Sequence, residues 1–328
     1  MAVLRLLLDD PSLDADHVDW TLMREIAERS GVIVRVADTL LRRGEELPPR
    51  LSQSAAVASA RTQHVLEIVD QLGAACRRLG IRHAFLKTAE RYPDTGRDID
   101  LLIGEPVGRV DAAIFRSFPA APRKCSWRNR LAGSRTFAAA HGIVIDIRHG
   151  RVGMLGEHAR YARLLLERAC LAALGNTTCL APSPEDNLLL IATQQVYTRP
   201  RLRLADVFWT IRTLQTRALN WDYVFATALS MGMVAAVGTY LQYIEGIHAR
   251  IFDRTLIDPA VLLRFEGSRA EQTTRFPPAD PRAAARLYLQ QFGATLESGR
   301  WHSAARLSLL PVVAVAALAA RGGSRRTR

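Results

Sequence analysis

The segment 97–104, Arg-Asp-Ile-Asp-Leu-Leu-Ile-Gly, holds two aspartates one residue apart in an otherwise apolar run. This composition predicts a β-strand. Because successive side chains of a strand point to opposite faces, Asp98 and Asp100 are expected on one face and Ile99 and Leu101 on the other. Two acids on one face can bind a divalent metal ion. The pair alone is a weak signal, since a solvated edge strand can show the same pattern.

A second apolar segment, 143–149, carries a third acid, Asp146, which alternation places on the same face as Arg148. If the two strands are neighbours, three carboxylates converge. Carboxylates so close raise one another's pKa unless a cation lies among them, and oxygen ligands suit Mg²⁺ or Mn²⁺. Two such ions about 3.5–4 Å apart can activate a hydroxyl group and stabilise the leaving oxygen in phosphoryl transfer. Alternatively, Arg97 and Arg148 neutralise acids on a solvated face.

The elements around these acids are predicted to be mostly helical. Apolar residues recur at helical spacing over 15–45 and 54–80, and short apolar runs at 81–87, 97–104 and 143–149 are typical of strands. A helix is expected over 109–118, a hairpin turn at His141-Gly142, and helices again from about 156 onwards. One of these helices opens with a capping signal, Ser183 followed three residues later by Asp186. The fold class is therefore expected to be α+β, helix-dominated, with a small sheet of at least three strands.

Composition gives the broad class of the chain. It has 328 residues, 48% of them hydrophobic, and a net charge of +12, which allows a full core and attracts phosphates, nucleic acid or anionic lipid. Only two residues are lysines, Lys87 and Lys124. A lysine retained beside the acids indicates a phosphate contact, with chance as the alternative. Four cysteines at no metal-binding spacing and the lack of a signal peptide predict a cytoplasmic protein with free thiols.

Several segments resemble a large bacterial family of nucleotidyltransferases in the polymerase-beta superfamily. They are Phe-Leu-Lys at 85–87, Tyr-Pro-Asp-Thr-Gly-Arg-Asp-Ile-Asp-Leu-Leu-Ile at 92–103, Gly-Ile-Val-Ile-Asp-Ile-Arg-His at 142–149 and the helical segment from 183. The resemblance covers roughly 15–250. It implies a nucleotidyltransferase fold, a small mixed sheet embedded between helical regions. The expected parts are a helical region 1–75, a core 76–155 and a helical region 156–328 with a basic tail.

The resemblance also implies roles for particular residues. Asp98 and Asp100 match the metal-binding acids, Asp146 matches the third carboxylate, and Lys87 and Thr88 lie where the superfamily places its nucleotide-phosphate loop. Thr88 departs from the usual glycine, and its Cβ hinders a close approach of phosphate to the backbone.

A second departure concerns the third acid. Arg148 stands where the family usually has histidine, and His149 follows one place later. Both departures leave open a catalytically degenerate member of the family.

Three classes of function remain. The first is a Mg²⁺-dependent nucleotidyltransferase that binds an NTP through Lys87, Thr88, Arg97 and Arg148, with Asp98, Asp100 and Asp146 as metal ligands and catalytic acids. Its acceptor is a sugar, peptide, protein or small metabolite. The second is a degenerate binding or scaffold protein. The third, nucleic-acid binding, ranks last because aromatic residues for base stacking are lacking.

Three further features have a plain structural alternative. His149 beside Asp146 suits proton transfer, although most lone histidines do no chemistry. Arg199, Arg201 and Arg203 precede a predicted helix and fit either a solvated helix start or a substrate site. The apolar run 307–320 is too short to span a membrane. It is expected to pack on the body, and peripheral membrane contact of 307–328 through the basic tail is the alternative.

Overall fold

The computed structural model describes residues 1–10, 18–105, 114, 118, 120–124, 126–198, 202–265 and 281–311. Its architecture is α+β and helix-rich, with a small mixed sheet between helical regions, as the sequence predicted. Of the predicted helix over 109–118, only positions 114 and 118 lie within the described residues.

Among the described residues, four helices precede the sheet: α1 (Ala2–Leu7), α2 (Trp20–Ser30), α3 (Ile33–Arg42) and α4 (Pro49–Arg78). Apolar residues of the first three pack with the start of α4 in a small core, in which Val36, Ala27 and Leu40 are fully buried. The long helix α4 continues from this core to the sheet, where Val69 and Leu72 pack behind the strands. The N-terminal helices therefore support one side of the sheet.

Five strands form the main sheet in the order β1-β2-β5-β4-β3. They are β1 (His83–Leu86), β2 (Asp98–Ile103), β3 (Ala121–Pro122), β4 (Ser134–Ala138) and β5 (Val144–His149). β2 and β5 are parallel and the other pairs are antiparallel, which makes the sheet mixed. The short helices α5 (Thr88–Arg91) and α6 (Trp127–Ala132) lie in its connections. A single helical turn over Ala140–Gly142 links β4 to β5, and His141 adopts a φ of 57° there.

The sheet separates two cores. Ile99, Leu101 and Ile103 of β2 pack with Ile145 and Ile147 of β5 against α4, and all five are fully buried. On the other face, Leu102 joins the core formed by the C-terminal helices. The alternation predicted from the sequence is thus confirmed, and the face that carries the acids is turned toward the C-terminal helices.

The region after 156 is not wholly helical, contrary to the sequence-based expectation. After α7 (Ala159–Glu167), strands β6 (Cys170–Leu174) and β7 (Thr177–Ala181) form an antiparallel hairpin. Its turn is Gly175-Asn176, a pair that favours two-residue hairpin turns. Gly175 has a φ of 60°, and a Cβ there would lie 2.6 Å from the Tyr92 hydroxyl. Cys179 and Ala181 of β7 are buried behind the main sheet, and this tertiary burial overrides the helix-forming residues of β6.

Seven helices follow the hairpin in the described part of the chain: α8 (Pro184–Thr198), α9 (Leu204–Thr216), α10 (Trp221–Met231), α11 (Val234–Phe252), α12 (Pro259–Phe265), α13 (Pro281–Glu297) and α14 (Trp301–Leu307). None of the described helices is both long enough and apolar enough to cross a membrane. Leu307 at the end of α14 is fully buried. The rest of the segment proposed for peripheral membrane contact lies, from residue 312 onwards, outside the described residues.

Candidate active site

Asp100 and Asp146 are brought together by the parallel pairing of β2 and β5. The register places Asp100 directly opposite Asp146, and Asp98 opposite Val144. Asp100 is buried and Asp146 is half-buried, whereas Asp98 is exposed at the first residue of β2. Of the three acids proposed as metal ligands, the sheet therefore brings two together, and Asp98 lies at the exposed start of β2.

Two cations lie among the buried acids. Lys87 Nζ is 2.6 Å from Asp100 Oδ2. One guanidinium nitrogen of Arg148, Nη2, is 3.7 Å from Asp100 Oδ1 and 3.3 Å from Asp146 Oδ2. The Ser134 hydroxyl on β4 donates a hydrogen bond to Asp146. In this structure Arg148 therefore neutralises the charges of Asp100 and Asp146, which is one of the roles considered for it from the sequence.

These contacts affect the two acids differently. Burial alone would raise the pKa of Asp100, but the charges of Lys87 and Arg148 outweigh it and hold that pKa well below its usual range. Burial raises the pKa of Asp146, and Arg148 and Ser134 offset the rise only in part. The site therefore pairs a firmly ionised carboxylate with one that accepts a proton more readily.

The connection between β1 and α5 positions Lys87. Lys87 has a φ of 63°, a left-handed conformation that is uncommon for a residue with a Cβ, and it precedes the first residue of α5. Thr88 is buried at the start of that four-residue helix. The left-handed conformation that glycine favours is therefore found at Lys87. It is not found at Thr88, the residue that stands where the family usually has glycine.

The other residues that the sequence predicted to serve the site lie beside or away from Asp100 and Asp146. Arg97 is exposed, and its carbonyl oxygen accepts a hydrogen bond from the Val144 amide at 2.7 Å. His149 alternates to the face opposite Asp146 and contacts the Glu105 carbonyl oxygen at 3.2 Å through Nδ1. The proton-transfer role considered for His149 is therefore wrong for this site. Arg203 immediately precedes α9, and positions 199 and 201 lie outside the described residues.

The donor chemistry of the site fits a divalent cation. Within the described ranges, no three His, Cys, Asp or Glu side chains are already arranged as ligands of one metal ion. Asp100 and Asp146 nevertheless both point a carboxylate oxygen at the same Arg148 nitrogen, which acts as a cationic stand-in between them. Hard carboxylate oxygens that converge on one positive charge are what Mg²⁺ or Mn²⁺ requires of a protein.

A cavity of about 350 Å³ opens beside Asp146 and Arg148. Sequence reasoning missed much of its wall, including Glu157 and His158 before α7 and Gln194 and Gln291 on α8 and α13. No spacing pattern links these residues to the acids, because they meet only when the C-terminal helices pack over the sheet. A capping signal at Ser183 predicted α8, which carries Gln194, but not the direction in which that side chain would point.

Comparison with known families agrees with this geometry. The sequence profile of a family described as uncharacterised nucleotidyltransferases matches residues 16–247, more than two thirds of the chain. No curated protein and no solved structure matches the chain. The match spans helices α2 to α4, both acid-bearing strands and the helices through most of α11. The chain therefore belongs to the uncharacterised nucleotidyltransferase family.

Proposed function

We propose that the protein transfers a nucleoside monophosphate from an NTP to a hydroxyl group of an acceptor and releases pyrophosphate. The observation that supports this most directly is the convergence of Asp100 and Asp146 on one cationic group at the edge of a cavity. Membership of the nucleotidyltransferase family supports the same reaction class.

Asp146 is the residue proposed to accept the proton of the acceptor hydroxyl. Its carboxylate lines the cavity and is positioned there by the hydrogen bond from Ser134. The hydroxyl oxygen then forms a bond to the α-phosphorus. The bond from that phosphorus to the oxygen bridging to the β-phosphorus breaks, and pyrophosphate leaves with the electron pair. Positioning and electrostatic stabilisation supply most of the rate enhancement in such reactions.

The triphosphate is proposed to bind to Lys87, Thr88, Arg97 and Arg148. Lys87 and Arg148 form ion pairs with the aspartates. A triphosphate carries more negative charge and is a stronger partner for both cations. Asp98, Asp100 and Asp146 would hold Mg²⁺ or Mn²⁺. Such an ion, when bound, supplies positive charge to the phosphates and lowers the pKa of a bound hydroxyl.

A degenerate, non-catalytic protein is the second candidate, and one observation favours it. Arg148 occupies the space between Asp100 and Asp146, and Lys87 pairs with Asp100. If these contacts persist in the presence of NTP, the fold retains a nucleotidyltransferase framework without a usable metal site.

Isothermal titration calorimetry separates the two candidates. An active enzyme binds at least one NTP in the presence of Mg²⁺ and loses most of that affinity in EDTA. Asp98→Asn/Asp100→Asn should lose the metal-dependent part, while Asp70→Asn, an exposed aspartate on α4, should bind like the wild type. A wild-type protein that binds no NTP with Mg²⁺ would support the degenerate candidate.

A further inference from the structure

The cavity beside Asp146 meets the site at residues that flank β2. Asp146, Arg148 and Ser134 of β5 and β4 line it, and so does Lys87 after β1, whereas Asp98 and Asp100 of β2 do not. Every residue that lines it is buried or half-buried. Its volume of about 350 Å³ lies in the range of pockets that take small organic ligands. The cavity thus meets the proposed proton acceptor and not the acids at the edge of β2.

Much of the remaining wall is apolar. It is contributed by the core that packs on the acid-bearing face and includes Val152, Tyr161, Leu190, Met231 and Met233. Methionine side chains adapt to irregular apolar ligands. Uncharged polar groups, such as the amide of Gln291, are interspersed among them. This wall offers both polar and apolar surface, which suits a small ligand with an apolar body and a polar group.

The charged groups of the wall already have partners. Lys87 and Arg148 pair with the aspartates. The Glu157 carboxylate accepts hydrogen bonds from the Met154 amide at 3.2 Å and the Leu155 amide at 2.8 Å.

His158, the remaining ionisable group of the wall apart from tyrosines, is kept neutral near pH 7. Burial lowers its pKa, although the adjacent Glu157 opposes the shift. Because Lys87 and Arg148 serve the aspartates or the triphosphate, a charged acceptor would find no counter-ion of its own in this wall, and burying an unpaired charge is costly.

The C-terminal helices form part of the cavity wall. Gln291 of α13 and Leu310 line it, and both lie beyond residue 247, where the family match ends. On α14, Ser303 Oγ donates to the Glu157 carbonyl oxygen at 2.7 Å, and Arg306 Nη1 donates to the Leu155 carbonyl oxygen at 2.6 Å. These bonds tie α14 to the loop that carries Met154. A cavity of about 350 Å³ walled in this way has room for a small molecule.

Building on the proposed nucleotidyl transfer, we infer that this cavity is the acceptor site and that its acceptor is a small, uncharged alcohol with an apolar body. The hydroxyl group lies toward Asp146, and the apolar body packs against the methionines. The product is the phosphodiester of that alcohol with the nucleoside monophosphate. Residues beyond the family match contribute to the choice of acceptor.

Binding of three shape-matched probes tests the inference without turnover. Phenylbutanol, phenylbutylamine and phenylbutyrate share one apolar body and differ in charge. Saturation-transfer NMR on the full chain should show phenylbutanol bound at least about tenfold more tightly than either charged probe, a difference of about 1.4 kcal/mol. Tighter binding of a charged probe, or no detectable binding of phenylbutanol, would overturn the inference.

Cavity-filling variants identify the location of the probe. Thr193→Trp adds bulk from a half-buried cavity position on α8, and Leu289→Trp adds the same group at an exposed position of α13. The first should abolish phenylbutanol binding, and the second should leave it unchanged. Met154→Trp serves as an independent filling variant, with thermal melting as the check on folding. Wild-type binding by both filling variants would contradict the assignment.

A competition experiment distinguishes acceptor from nucleotide. A methylene-bridged, non-hydrolysable NTP with Mg²⁺ should leave phenylbutanol bound if the cavity is the acceptor site. Displacement of phenylbutanol would assign the cavity to the nucleotide and overturn the inference. Retained phenylbutanol binding in a protein that binds no NTP would instead count against nucleotidyl transfer, so the two failures are distinguishable.

Discussion

Asp100 and Asp146 are direct partners in the register of the parallel strands β2 and β5. Strand pairing holds their backbones in place, so the spacing of the two carboxylates depends on the sheet and not on a mobile loop. One Arg148 nitrogen reaches both of them. This arrangement makes Arg148 the residue that decides whether the acids can accept another cation.

Removing Arg148 should open the acids to metal ions. In Arg148→Ala, Asp100 and Asp146 lose the charge between them, and like charges this close favour a bound cation. We expect Mn²⁺ to bind at least about tenfold more tightly than to the wild type in the absence of nucleotide, measured by electron paramagnetic resonance. Arg130→Ala, at an exposed position of α6, is the control. Equal Mn²⁺ affinity in all three proteins would show that Arg148 does not compete with the metal.

The ion pair between Lys87 and Asp100 should stabilise the fold only as a pair. Lys87→Met leaves Asp100 buried beside Arg148 alone, and breaking a buried pair typically costs about 3–5 kcal/mol. Lys87→Met/Asp100→Asn removes both charges and should cost less than the sum of the two single variants. Urea denaturation of the four proteins gives the coupling energy. A coupling near zero would mean that Arg148 alone compensates Asp100.

Glu90 should make stability depend on pH. It lies on α5, where its carboxylate accepts a hydrogen bond from Asn187 on one oxygen, while the other is buried with no hydrogen-bond partner among the described residues. Burial raises its pKa to about 7 from an ordinary value of 4.5. The folded state therefore holds a proton that the unfolded state releases, and stability should fall as pH rises from 4.5 to 7.

The variant Glu90→Gln tests this dependence. Because a pKa unit corresponds to about 1.4 kcal/mol, we expect the variant to be more stable than the wild type at pH 8 by up to about 3 kcal/mol. Thermal melts between pH 5 and pH 8 measure the slope. Glu46→Gln, at an exposed position, should keep the wild-type slope. An unchanged slope in Glu90→Gln would assign the dependence to another group.

Ser183 should stabilise the start of α8. Its hydroxyl oxygen accepts a hydrogen bond from the Asp186 amide at 3.3 Å and donates one to the Asp186 carboxylate at 2.9 Å. Ser183→Ala should lower the free energy of unfolding by about 1 kcal/mol, a typical cost for a lost N-cap. Chemical denaturation is the measurement, and Ser52→Ala on the exposed side of α4 is the control. A loss no larger than in Ser52→Ala would show that the cap contributes little.

The sequence by itself determined the local features of the site. The two-residue period of a strand assigned Asp98 and Asp100 to one face and Asp146 and Arg148 to another matching face, and the sheet has this alternation. The signal at Ser183 correctly predicted a helix start. These features depend on residues a few positions apart, so the sequence shows their pattern without knowledge of the tertiary structure.

Only the tertiary structure decided how these pieces meet. Two strands far apart in the chain became neighbours in a fixed register, and Lys87 and Arg148 took their places among the acids. The β6–β7 hairpin formed because burial behind the sheet outweighed local helix preference. The wall of the cavity joins loops and helices from 86 to 310. Such contacts result from packing between segments that are distant in the sequence. Periodic patterns in the sequence predict single helices and strands, and they do not predict which of these elements pack together.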